Sequence, residues 1–82
     1  MEKRYVATIL YVAENEKSEV EKEKIITADN DDEALQKAKS YISSRIGNYT
    51  NVSTFHDDDF RKILSARLVR LICETKKEVT IK

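Results

Sequence analysis

Glycine occurs once in this chain and proline not at all. A glycine-rich phosphate loop is thereby excluded, because it needs several glycines whose backbone can close around an anion. The same scarcity removes the usual punctuation between elements, so boundaries must be read from periodicity. The single cysteine, Cys73, cannot form an internal disulfide, and nothing around it has the ligand spacing of a zinc site. A lone thiol fits a reducing compartment. No apolar run approaches the roughly 20 residues that span a bilayer as a helix. Met1-Glu2-Lys3-Arg4 leads into a short apolar stretch with no cleavage signature, so no secretory leader is expected and the chain reads as cytoplasmic. Net charge is missing too, since 15 basic side chains balance 15 acidic ones. Nonspecific nucleic-acid binding rests on neutralising many phosphates, which makes nucleic acid the less favoured partner.

What remains is 82 residues, 40% hydrophobic and 37% charged. Residues 1–82 form one domain on this reading, because two cores would each fall below self-supporting size. Residues 4–13 are rich in β-branched and aromatic side chains, which predicts a strand. Tyr5, Ala7, Ile9 and Tyr11 would share one face, and Val6, Thr8, Leu10 and Val12 the other. Both faces are largely apolar, the mark of a central strand covered on one side and partly sheltered on the other. A polar loop over residues 14–19 precedes a second strand, Val20–Ala28. There Val20, Lys22, Lys24, Ile26 and Ala28 alternate with Glu21, Glu23, Ile25 and Thr27. The charged first half suits a sheet edge.

A helix follows. Residues 29–33 load negative charge where the helix dipole favours it, and Asn30 with Glu33 has the spacing of a capping box. Ala34, Leu35, Ala38, Tyr41, Ile42 and Ile46 recur at helical spacing, and Gly47 stands where a left-handed C-terminal cap is expected. Residues 48–56 read as a loop. The last third admits two readings. Phe60, Ile63, Leu64, Leu68, Leu71 and Ile72 fit a helical face, with Arg67, Arg70 and Glu74 close to it. The alternative is a helical turn at 58–63, a strand over 66–74, a turn at 75–77 and a short edge strand at 79–81. The strand is preferred because a hairpin under one helix is marginal and a third strand completes the sheet. A right-handed crossover then sets that strand on the free side of the first, making the first strand central. The predicted fold class is α+β: β-β-α-β(-β), with one helix packed on a small antiparallel sheet of three to four strands.

Several groups could carry chemistry. The sequence His56-Asp57-Asp58-Asp59 offers oxygen ligands to a cation, but neighbouring residues point in different directions and no second ligand cluster matches, so no metal is expected. Cys73 and His56 lack a third group to orient them, and a free cysteine among Leu71 and Ile72 behaves as a small hydrophobe. Glu21, Glu23, Asp31, Asp32 and Glu33 have no apolar surroundings to tune them for acid–base work. The Asn48-Tyr49-Thr50 and Asn51-Val52-Ser53 triplets have glycosylation spacing, but without a leader they are chance matches. The chain therefore reads as no enzyme and as needing no cofactor. Tyr5 and Tyr11 could stack bases from a sheet face, although on so polar a chain they serve better as core. Charge is unevenly spread, with seven Lys/Arg against ten Asp/Glu in residues 1–41 and eight against five in residues 42–82. Arg67 and Arg70 would face opposite sides of a regular strand, and a β-bulge between them would bring both to one face. A surface of two signs suits a protein partner better than a phosphate backbone.

Tyr5-Val6-Ala7-Thr8-Ile9, Ile26-Thr27-Ala28, Asp32-Glu33-Ala34-Leu35 with Ala38, and Ala66-Arg67-Leu68-Val69-Arg70 together resemble the small phage inhibitors of host RNA polymerase. The resemblance implies a β-β-α-β fold, a helix opened by Asp-Glu-Ala-Leu and two nearby arginines on the third strand. It implies a non-enzymatic activity, binding a polymerase surface and blocking promoter opening. The contacts it implies are an acidic strip and the third-strand arginines, here Arg67 and Arg70; the acidic cluster that the charge layout places at the helix start, Asp31, Asp32 and Glu33, completes the expected partner-binding set. This chain departs from the pattern in the spacing of the arginines, in a longer loop over 47–57 and in an additional C-terminal segment. The expected function is a protein-binding module of phage or mobile-element type that inhibits a host protein such as RNA polymerase. The alternative is a nucleic-acid-binding domain that uses Tyr5, Tyr11 and Arg70 on an exposed sheet face. Nothing in the sequence specifies an oligomeric state.

Overall fold

The computed structural model describes residues 2–15, 19–51 and 60–81. Its elements run β1 (Lys3–Ala13), β2 (Val20–Ala28), α1 (Asp31–Arg45), β3 (Tyr49–Asn51) and β4 (Phe60–Cys73). The sheet order is β2-β1-β4-β3, and every neighbouring pair is antiparallel. This is the α+β arrangement the periodicity predicts, with β1 central and α1 on one face.

Alternation along β1 sets the layers. Tyr5, Ala7, Ile9, Tyr11 and Ala13 are buried, while the residues between them are exposed or half-buried. Opposite them lie Cys73, Leu71, Leu68, Ala66 and Ile63 of β4, which close the same face. Four buried helix residues complete the core: Ala34, Leu35, Ala38 and Ile42. Ala34 and Ala38 are wholly enclosed, so their small side chains set how closely helix and sheet approach. The tyrosines at positions 5 and 11 are core residues, at 0% and 2% exposure.

The helix begins as its residues require. Asn30 has extended backbone and its side chain accepts a 2.8 Å hydrogen bond from the Glu33 N–H. The Glu33 carboxylate turns forward to Lys37 at 3.1 Å rather than back to the cap. At the other end Ile46 is the C-cap, exposed rather than part of the apolar stripe. Gly47 follows at φ +84°, the left-handed conformation expected of it. Its N–H donates to the Ile63 carbonyl at 2.7 Å, and the Ile63 N–H donates to the Asn48 carbonyl at 3.0 Å. The helix end is thus tied directly to β4.

Three expectations need correction. Residues 60–63 are strand rather than helical turn, because β4 is continuous over 14 residues and pairs with β1 through Ile63. The loop predicted after the helix contains the short strand β3, whose Tyr49, Thr50 and Asn51 pair with Lys62, Arg61 and Phe60. The segment expected as a terminal edge strand, 79–81, is not a strand, and one isolated bridge, Ile72 to Glu78, lies just before it. The segment docks instead through the Val79 N–H, which donates to the Leu71 carbonyl at 2.8 Å, and through the buried Val79 side chain. The fourth strand of the sheet is therefore β3, on the far side of β4.

Two register shifts mark the β1–β4 ladder. Thr8 pairs with Arg70 and Ile9 with Leu68, so Val69 is an extra residue. Val12 pairs with Ser65 and Ala13 with Ile63, so Leu64 is another. Both are β-bulges, and each resets which residues of β4 face inward.

Candidate functional site

The face of the sheet turned away from α1 has no secondary-structure element over it among the described residues. Its composition follows from the pairing. Across β2, β1 and β4 the residues stand in rows: Ile25, Val6, Ile72; then Glu23, Thr8, Arg70; then Glu21, Leu10, Arg67. Val12 and Ser65 extend the pattern beyond Leu10 and Arg67. Val6 is 36% exposed and Ile25 53% exposed. The face is an apolar central strip with an acidic border on β2 and a basic border on β4.

The alternation of β2 sorts its charges by layer. Glu21 and Glu23 pair with the outward residues Leu10 and Thr8, whereas Lys22 and Lys24 pair with the inward residues Ile9 and Ala7. Lys24 accordingly reaches the helix side, where its ammonium lies 5.0 Å from the centre of the Tyr41 ring. The glutamates are left alone on the outer face.

The bulge at Val69 answers the arginine question. Arg67 and Arg70 pair with Leu10 and Thr8, two residues apart on one side of β1, so both arginines face outward. Arg67 reaches Glu19 with two parallel hydrogen bonds, Nε to Oε2 at 3.2 Å and Nη2 to Oε1 at 3.1 Å. That bonding holds the Arg67 guanidinium more firmly in its charged form. Among the described residues Arg70 has no ion pair or side-chain hydrogen bond.

The acidic members of the expected site lie elsewhere. Asp31, Asp32 and Glu33 open α1, on the opposite layer from the arginines. Asp31 accepts a 2.8 Å hydrogen bond from the hydroxyl of buried Tyr5, and Glu33 is paired with Lys37. Of the three, Asp32 alone is exposed rather than half-buried. The structure brings the two arginines together and does not bring the acidic trio to them. The acids that do share a face with the arginines are Glu19, Glu21 and Glu23. Their signal is the alternation of Glu with Lys in β2, which assigns the two signs to different layers.

The 56–59 stretch lies outside the described residues, and among the described residues no group of His, Cys, Asp and Glu could hold a metal ion. Cys73 is a buried free thiol, held below its ordinary range chiefly by a backbone hydrogen bond at Thr75. Shallow recesses break the surface, among them one of about 140 Å³ between Val6, Ile25, Arg4 and Glu74, one of about 390 Å³ lined by Ile42, Ile46, Leu68 and Ile81 with Lys39 and Arg67, and one of about 440 Å³ beside Lys3, Asn30, Asp31 and Asp32. No polar or charged residue is buried among the described residues, so the charged side chains that line these recesses stand in solvent. No helix among the described residues is long and apolar enough to cross a membrane. No protein-family model, curated protein or solved structure matches this chain.

Proposed function

We propose that this chain is a non-enzymatic protein-binding module of phage or mobile-element type, which inhibits a host protein by covering it with the outer face of its sheet. The observation that carries the reading is the composition of that face: a largely apolar strip on β1, exposed at Val6 and half-buried at Thr8, Leu10 and Val12, between acidic Glu21 and Glu23 and basic Arg67 and Arg70. Apolar contact supplies affinity, and borders of opposite sign fix orientation and reject wrong partners. The resemblance of the sequence to phage polymerase inhibitors makes host RNA polymerase the first partner to test. The nucleic-acid alternative loses support on two counts. Tyr5 and Tyr11 are buried and cannot stack bases, and the glutamates of β2 would repel a phosphate backbone lying on the same face.

The test is capture from bacterial lysate with and without nuclease, comparing the wild-type chain with Arg70→Glu. Arg70 is exposed and makes no ion pair among the described residues, so its reversal leaves folding intact. A single protein that survives nuclease and is lost with Arg70→Glu is the expected result. Capture that disappears with nuclease, or that ignores the substitution, overturns the assignment.

A further inference from the structure

We propose that, when no other protein occupies it, the outer face of the sheet is closed by a second copy of this chain, in a two-fold dimer whose axis runs parallel to the strands. The proposal rests on the reading of that face as a protein-binding surface and names one occupant for it.

The argument is one of symmetry and charge. Two sheets that face each other through a two-fold axis, with strands aligned, can be related in two ways. An axis perpendicular to the strands lays β2 over β2 of the second copy, setting the glutamates of one border against those of the other. An axis parallel to the strands reverses the order of strands across the face and keeps each row level. Under that operation every row meets its own reverse. Ile25, Val6 and Ile72 meet Ile72, Val6 and Ile25. Glu23, Thr8 and Arg70 meet Arg70, Thr8 and Glu23. Glu21, Leu10 and Arg67 meet Arg67, Leu10 and Glu21. Val6, Thr8 and Leu10 fall on themselves and each border falls on the opposite charge, most directly Arg70 on Glu23, since Arg67 brings its own Glu19 with it; this is the self-complementarity that a closed two-fold interface demands. The angle of about 30° natural to packed twisted sheets is met by inclining each sheet about 15° to the axis, which leaves the borders opposed.

Area sets the strength. Three strands about 4.8 Å apart, rising about 3.4 Å per residue from Val6 to Val12, give a planar footprint of roughly 350 Å². A standard interface buries about 800 Å² on each partner, so this one belongs to the weak class and its occupancy depends on concentration. It leaves the face available to a tighter partner.

The test is sedimentation velocity on the purified chain from low micromolar to near-millimolar concentration, with circular dichroism of each variant as the folding control. The wild-type chain is expected to pass from monomer to dimer across that range, and added salt to shift the midpoint upward. Glu23→Arg and Arg70→Glu each set like charges against one another at two symmetry-related places, and each weakens the dimer about tenfold. Mixing the two variants restores association. The arginine introduced at position 23 of one copy then faces the glutamate introduced at position 70 of the other, and the native Arg70 and Glu23 face each other at the second place. A wild-type chain that stays monomeric throughout overturns the dimer. So do folded single variants that associate like wild type, or a mixture that associates no better than its components. If the dimer fails while Arg70→Glu still abolishes capture from lysate, the protein-binding reading stands without it. If Arg70→Glu alters neither measurement, both fall.

Discussion

At Gly47 the chain leaves α1 with φ +84°, and its N–H is committed to the Ile63 carbonyl. A Cβ built there would meet nothing within 4 Å, so the cost of Gly47→Ala is conformational rather than steric. The substitution should destabilise the chain by about 1 kcal/mol, seen as a lower denaturant midpoint at unchanged slope. The buried tyrosines make a second prediction. Burial, and then the adjacent Tyr41 hydroxyl, push Tyr11 up to about 12, and burial with the Asp31 hydrogen bond pushes Tyr5 up as well. Both would ionise near the ordinary value of 10.0 once unfolded. Above that pH the unfolded chain holds fewer protons than the native one, so stability falls as pH rises. The contribution is complete below pH 10.0 and is lost as pH climbs through about 12. Denaturant midpoints should therefore drop across that interval, and Tyr11→Phe should flatten the drop.

Among the elements, α1 and β4 teach opposite lessons about legibility. The helix is readable because its signals agree: Asn30 caps it, acidic residues fill its first turn, and small and aliphatic residues repeat at helical spacing. The strand β4 is readable only in part. Its inward residues are Ile63, Ala66, Leu68, Leu71 and Cys73, spaced by three and two residues in turn. Bulges at Leu64 and Val69 lengthen the usual period of two toward that of a helix, which is why the apolar residues from Ile63 to Ile72 also fit a helical face. The three-residue strand β3 carries no period at all, and is defined by its partner Lys62 and its neighbours rather than by its own residues. The tight contact of α1 with the sheet is open to test. Ala38 is wholly enclosed, so Ala38→Leu must force the layers apart and should cost about 1–3 kcal/mol in unfolding free energy.

For the molecule as a whole, the candidate surface depends on registers that no single strand displays. That Glu21 and Glu23 stand level with Arg67 and Arg70 emerges only once β1 is placed between them and the bulge at Val69 has shifted β4 by a residue. From the sequence, the arginines are legible as a pair with a condition attached, and the bulge meets that condition. Counting charge along the chain points to the acids of the helix start, which the fold sets on the layer opposite the arginines, whereas Glu21 and Glu23 reach the arginines' face only through pairing across strands. The lysate capture and the exchange of charges at positions 23 and 70 act at this scale. They ask whether the face works as a unit.

The placing of β1 also bears on how the protein is made. β1 needs both its edges covered, and it is made well before the strand that covers the second of them. Its pairing with β2 can form as soon as the hairpin emerges, but Tyr5 must wait for Cys73 and Ala7 for Leu71, which follow the helix. Until those residues leave the ribosome, a nascent hairpin presents one open strand edge and an uncovered row of Tyr5, Ala7, Ile9 and Tyr11. Closing the sheet is thus a long-range event that must wait for β4 to be made. The same hairpin, released early by premature termination, would be the form of this chain most prone to aggregate.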